Sequence, residues 1–267
     1  MALSTPVAER SGSGVRSDPE AVLEIVDVSV RFGGINAVTD VSLSARPGQI
    51  TGLIGPNGAG KTTTFNVITG LQEPTHGRVF IGDQDVSGMA PYKRARLGIA
   101  RTFQRLEVFG SLSVFENVLA AAEFHAGWSD DETPPRQVAT EVIERVGLST
   151  VAEERVDALP TGIARLVELG RALATRPRLL LLDEVGSGLN HDETAALGDL
   201  MVDLTRDGTG ILLVEHDVDL VMRVCKRIFV LDFGRLIAAG TPAEIRNNPA
   251  VQAAYLGVDT GEGGASA

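Results

Sequence analysis

The chain has 267 residues, 43% of them hydrophobic, enough for one large or two small domains around a buried core, which excludes disorder throughout. Its 24 basic and 35 acidic residues give a formal charge of −11, which opposes a broad electrostatic grip on nucleic acid or an anionic membrane, so any phosphate ligand has to be held locally. No apolar run approaches the roughly 18 residues of a membrane span, and the single cysteine, Cys225, excludes an intramolecular disulfide and a cysteine-based zinc cluster.

In chain order, the first twenty residues mix Ser, Gly, Pro and charge without the apolar stretch of a signal peptide. Residues 1–20 are therefore expected to be a disordered tail, as are residues 259–267, leaving a folded body over 21–258. Leu23–Phe32 predicts a strand, turned by Gly33-Gly34. Ile50–Ile54 is a short apolar run ended by glycines, and Lys61–Thr69 has the length and spacing of a helix. From about 115 to 176 the spacing turns helical, with helices predicted over Phe115–Phe124, Arg136–Val146 and Ala164–Thr175. Leu179–Leu182, Ile211–Val214 and Ile228–Leu231 are short apolar runs of the kind that form strands buried on both faces, with helices between them. The pattern is an α/β core interrupted by a helical subdomain.

Gly55-Pro56-Asn57-Gly58-Ala59-Gly60-Lys61-Thr62 matches G-x-x-x-x-G-K-[ST] between a predicted strand and a predicted helix, the P-loop context. Such glycines let successive backbone N–H groups face a phosphate, and the helix start, with Lys61, Thr62 and Thr63, adds positive potential. Lys61 is expected at the β- and γ-phosphate oxygens and Thr62 on Mg2+; the competing reading is a glycine-rich turn with a surface lysine. The run Leu179–Leu182 ends in Asp183-Glu184. Asp183 is expected to hold Mg2+ and Glu184 to deprotonate the attacking water; by itself such a pair is more often an ordinary sheet edge, and the P-loop makes it a site. His216 follows another predicted core strand, where it would polarise a ligand or serve as a plain structural residue.

These elements, in this order, resemble the nucleotide-binding subunits of ATP-binding cassette (ABC) transporters, from about Leu23 to Gly257. The resemblance implies a P-loop NTPase fold with an antiparallel β subdomain and a helical subdomain. It makes Phe32 the aromatic that stacks on adenine, Gln104 the glutamine that senses Mg2+ and links to the membrane subunits, and His216 the histidine at the γ-phosphate. It also implies a signature loop that caps the ATP of the opposite subunit. The aligned residues here are Leu159, Pro160, Thr161, Gly162 and Ile163, which depart from the commonest Leu-Ser-Gly-Gly-Gln. Pro160 offers neither hydroxyl nor N–H, so capping would fall to Thr161 and to backbone N–H groups from Gly162 onward, or one of two composite sites would be weakened. Val185-Gly186 likewise departs from the family's commoner Pro-Ser.

Arg31-Phe-Gly-Gly34, Arg101-Thr-Phe-Gln104, Glu215 to Met222 and Gly240 to Gly257 are similar to the LivG-type ATPases of branched-chain amino-acid importers. The expected assembly is then cytoplasmic and peripheral on the membrane's inner face, with transmembrane permease subunits, a second cassette ATPase in a homo- or heterodimer, a solute-binding protein as an indirect partner, and no nucleic acid. ATP and Mg2+ are the expected ligands. Two other readings stand beside it. One is a cassette that binds ATP but hardly hydrolyses it, suggested by Pro160 and Ile163; the other is a non-transport P-loop ATPase acting on DNA or the ribosome, opposed by the acidic charge, the single P-loop and the lack of sustained heptads.

Overall fold

The computed structural model describes residues 16–256, so the expected tails over 1–15 and 257–267, and the expected end of the body at 258, lie outside the described residues. The boundary at residue 21 needs correction. Glu24 is buried on the first strand, and its carboxylate accepts hydrogen bonds from Ser17 N at 2.9 Å and Ser17 Oγ at 2.5 Å. A buried carboxylate needs donors, and it draws residues 16–20 onto the fold to supply them.

Two sheets are stacked around one helix. The four-stranded sheet runs β2 (Ile35–Ala45), β1 (Leu23–Phe32), β4 (His76–Ile81), β5 (Gln84–Asp85), all antiparallel. The six-stranded sheet runs β10 (Arg235–Gly240), β9 (Arg227–Asp232), β3 (Ile50–Ile54), β8 (Gly210–Val214), β7 (Leu179–Asp183), β6 (Ile99–Arg101), with β9, β3, β8, β7 and β6 mutually parallel. Strands β3, β7 and β8 are buried along their full length, as apolar runs without alternation require. The pleat then divides their side chains between two cores. Leu180, Leu182, Ile211 and Leu213 face one; Leu179, Leu181, Leu212 and Val214 face the other, where α1 (Lys61–Thr69) buries Phe65, Val67 and Ile68 against the antiparallel sheet.

On the opposite side lies the helical subdomain. Here α3 (Val114–Ala126) starts on a Ser113/Glu116 capping box and packs on α4 (Pro135–Arg145) and α5 (Thr161–Leu173). The remaining helices are α2 (Pro91–Arg96), α6 (His191–Arg206), α7 (Val218–Val224), α8 (Pro242–Arg246) and α9 (Pro249–Leu256). The predicted start of α5 at Ala164 is three residues late. Pro160 sits at the N-cap with extended backbone, and the first helical bond runs from Ala164 N–H to Pro160 O. Proline is suited to a helix start because it lacks the N–H that would go unpaired there. Thr161, Gly162 and Ile163 therefore form the first turn of a helix, rather than a loop ahead of it.

Candidate functional site

Parallel pairing sets the loops that follow β3, β6, β7 and β8 along one edge of the six-stranded sheet, the edge where open α/β sheets bind ligands. Those loops carry residues 55–60, Thr102–Gln104, Glu184 and Glu215-His216. Four stretches far apart in sequence thus meet.

The 55–60 loop requires its glycines. A Cβ on Gly55 would lie 2.1 Å from Leu231 O, one on Gly60 would lie 2.8 Å from Ala37 O, and Gly58 holds φ at +80°. The loop feeds α1, whose first backbone bond is Thr64 N–H to Gly60 O, and the N–H groups of Lys61, Thr62 and Thr63 have no partner among the described residues. That leaves three donors and the positive end of a helix available to an anion. Lys61 Nζ donates to Gly55 O at 2.7 Å and Pro56 O at 3.0 Å. Burial pushes its pKa down, opposed by the charges of Glu184 and Asp183.

Asp183 is buried at the end of β7, and burial raises its pKa against the pull of Arg101. Arg101 Nη2 donates to Asp183 Oδ2 at 3.0 Å. Glu184 follows in left-handed backbone, φ +54°, a conformation that costs a residue with a Cβ and turns the carboxylate away from the strand line. Its Oε1 lies 2.7 Å from His216 Nε2, and both its oxygens lie 3.4 Å from Gln104 Nε2. Glu215 is buried beneath, accepting from Gly186 N at 2.7 Å and His216 N at 3.3 Å; burial raises its pKa, and these two donors oppose the rise.

Of the sequence-derived residues, Gln104, Asp183, Glu184 and His216 thus gather beside the 55–63 segment. Phe32 is half-exposed at the end of β1, in the hairpin whose second strand brings Ala37 and Val38 against Gly60. The 159–163 segment lies apart. A Cβ on Gly162 would meet Leu189 and Gly188, while no hydrogen bond among the described residues ties Leu159–Ile163 to the glycine loop.

Sequence reading assigned no site role to Arg101, Arg165 or Glu168. Arg165 and Glu168, both buried on α5, hold the backbone ahead of and at Gln104: Phe103 N donates to Glu168 Oε1 at 3.1 Å, and Arg165 donates to Phe103 O at 2.6 Å and to Gln104 O. Spacing on α5 reveals a buried face, but not what the face grips some 60 residues away. Next to this clamp an apolar groove of about 560 Å³, lined by Leu71, Tyr92, Phe103, Phe109, Phe124 and Trp128, opens between α2 and α3.

The pattern of the ABC transporter family matches residues 38–187. The chain belongs to that family. A second pattern, that of the branched-chain amino acid ATP-binding cassette transporters, matches residues 235–260. The chain is 41% identical over 251 residues to the high-affinity branched-chain amino acid transport ATP-binding protein LivG of Escherichia coli K12, covering 89% of this chain and 98% of that one. It is 39% identical over 249 residues to the BraF protein of the same description in Pseudomonas aeruginosa, covering 88% and 98%. Among solved structures, a nucleotide-free ATP-binding cassette from an ABC transporter superposes with TM-score 0.80 at 30% identity, covering 89% of this chain and 99% of that one. This ABC cassette is therefore an ATPase that couples hydrolysis to transport, with the P-loop fold and two added subdomains. Among its described residues no helix is long and apolar enough to cross a membrane.

Proposed function

We propose that this cassette energises an importer of branched-chain amino acids or a related small solute, bound peripherally to the inner face of the membrane through separate permease subunits. The solute class rests on the likeness to LivG and BraF and on the match over residues 235–260, and hydrolysis on Glu184, held between Gln104 and His216 next to the glycine loop. In this reading the unpaired N–H groups of Lys61, Thr62 and Thr63 cradle the phosphates, Lys61 turns from Gly55 and Pro56 to the β- and γ-oxygens, and Phe32 stacks on adenine. Glu184 orients the attacking water and takes its proton; His216 steadies Glu184 and donates to the γ-phosphate.

Thr62, Gln104 and Asp183 offer a hydroxyl, an amide oxygen and a carboxylate, the hard oxygen donors that Mg2+ favours, and a guanidinium already rests on Asp183, so a cation suits the place. Bound there, Mg2+ would neutralise charge on the phosphate oxygens. The 159–163 segment, remote from its own glycine loop, would cap the nucleotide of a second cassette through the N–H groups that open α5. The groove between α2 and α3 supplies an apolar seat for a permease segment, one residue from Gln104 through Phe103. A solute-binding protein would join outside the membrane.

The test is a detergent purification of the tagged chain from its own cells, followed by mass spectrometry. Two multispanning permeases with a second cassette support the reading, and a solute-binding protein in the same fraction would point to the solute. Recovery only with ribosomes, DNA or soluble proteins would overturn it.

A further inference from the structure

Arg101 closes β6 with its guanidinium held on four sides. Nη2 donates to Asp183 Oδ2 at 3.0 Å and Nη1 to Asn66 Oδ1 at 2.7 Å, while the rings of Phe65 and Phe103 lie 5.3 and 4.8 Å from its Cζ. Both charged side chains are buried, at 6% and 3% exposure. A pair so buried is a weak source of stability, because desolvation consumes most of its Coulombic gain. This one also leaves Arg101 Nε buried without a partner among the described residues. Three features show what the arrangement does. Lys61, whose charge also acts on Asp183, spends its hydrogen bonds on Gly55 and Pro56, so Arg101 is the cation in contact with the carboxylate. Only Oδ2 is engaged, while Oδ1 accepts no hydrogen bond among the described residues. Asn66 and the two rings fix the guanidinium from sides that Asp183 does not touch, so the carboxylate is oriented by a group that is itself already oriented.

We infer that Arg101 is a positioning residue for the metal site: it holds Asp183 by Oδ2 so that Oδ1 is presented to Mg2+, with Asn66 and Phe103 holding Arg101 in turn. The inference rests on the assignment of Asp183 to the metal. Arg101 and Phe103 also line the apolar groove, so whatever seats there is one side chain away from Asp183. Outer partners of metal ligands change metal affinity by about 10–100-fold when removed, which sets the scale of the effect.

The experiment measures ATP binding to the full chain at equilibrium, first with a metal chelator and then across a Mg2+ titration. Arg101→Met should leave metal-free affinity within about twofold of wild type and raise the Mg2+ concentration for half-maximal enhancement by about tenfold or more. Arg101→Lys, which keeps the charge without the planar fork, should fall between them. An unchanged Mg2+ midpoint in Arg101→Met, or an equal loss with and without metal, would overturn the inference. If Arg101→Met does not fold, Asn66→Ala carries the test: it leaves the ion pair and removes one anchor, so the midpoint must still rise, and an unchanged midpoint overturns the inference. Asp183→Asn separates the two levels. If it keeps the wild-type Mg2+ response, the metal assignment itself fails; if it abolishes that response while Arg101→Met preserves it, only the positioning role fails.

Discussion

Glu184 Oε1 and His216 Nε2 stand 2.7 Å apart because their strands are neighbours in register, Asp183 opposite Val214, so the residues that follow each strand emerge side by side. Glu184 N also donates to Val214 O at 2.9 Å, which carries the pairing one residue past β7 while φ turns positive. The contact is therefore built from strand register and one strained residue.

Glu184→Gln tests what that carboxylate does. Glutamine keeps the shape and the hydrogen-bond reach to His216 while removing the basic oxygen, so steady-state ATP hydrolysis should fall by about 10²–10⁴-fold, the usual worth of a general base. Equilibrium ATP binding should stay close to wild type, since the donors proposed for the phosphates are the unpaired N–H groups of residues 61–63. Parallel turnover and binding assays check both, and full turnover in the variant removes Glu184 as the base.

Glu215 gives a pH signature. Burial lifts its pKa above the ordinary 4.5, so between that value and its folded value the native state binds more protons than the unfolded chain, and stability falls as pH rises through that window. Glu215→Gln removes the titration and keeps one acceptor, the amide oxygen, for Gly186 N–H, while the amide nitrogen faces the His216 N–H and adds a loss that does not vary with pH. Thermal melts of the two proteins should show the variant gaining on wild type as pH rises from below 4.5, with the difference levelling off once Glu215 is ionised in both states. A difference in melting temperature that ignores pH would mean that the burial of Glu215 is relieved by water.

Much of the fold was legible because its signals are local. Leu23–Phe32, Ile50–Ile54 and Lys61–Thr69 coincide with β1, β3 and α1, where apolar runs and glycines mark both ends. The glycine loop was legible for the same reason: a Cβ at Gly55 or Gly60 collides with backbone, so the spaced glycines mark the turn in the sequence. Contacts between distant segments leave no such trace. Arg101 meets Asp183 across 82 positions, and Arg165 meets Phe103 across 62, through geometry that only the folded sheet and α5 create. Cys225 falls between these cases. Its apolar neighbours predict burial on a helix over 217–226, and it is buried, but α7 ends at Val224 and the thiol, pushed up to about 12 by burial, lies just beyond.

Arg165 and Glu168 are a buried ion pair at 3.2 Å whose outer atoms bond the backbone at Phe103 and Gln104. Arg165→Met leaves Glu168 charged and uncompensated in the interior, and should cost about 3–5 kcal/mol in urea unfolding. The double variant Arg165→Met/Glu168→Leu removes both charges and should recover a substantial part of that loss. Its ATPase should nonetheless stay low, because the backbone that presents Gln104 has lost its anchors. Recovery of turnover together with stability would show that the pair serves packing alone.

Gly162 tests how tightly the first turn of α5 is held against the Ser187–Asn190 segment. Its backbone is ordinary helix, so alanine would gain up to about 1 kcal/mol from propensity if the space were open. It is not open: a Cβ would lie 2.7 Å from Leu189 Cδ2 and 3.0 Å from Gly188 O. Leu189 can rotate away, whereas the Gly188 carbonyl moves only with its loop, held at φ +88°. Gly162→Ala should therefore lose about 1–3 kcal/mol in urea unfolding, as overpacked sites do. Adding Leu189→Ala separates the two obstacles. If the methyl presses mainly on Leu189, Gly162→Ala becomes cheaper in that background by about 0.5 kcal/mol or more, the scale of coupling between touching residues. An undiminished cost assigns the obstacle to the Gly188 carbonyl, and no cost in either background would mean that the two segments separate freely in solution.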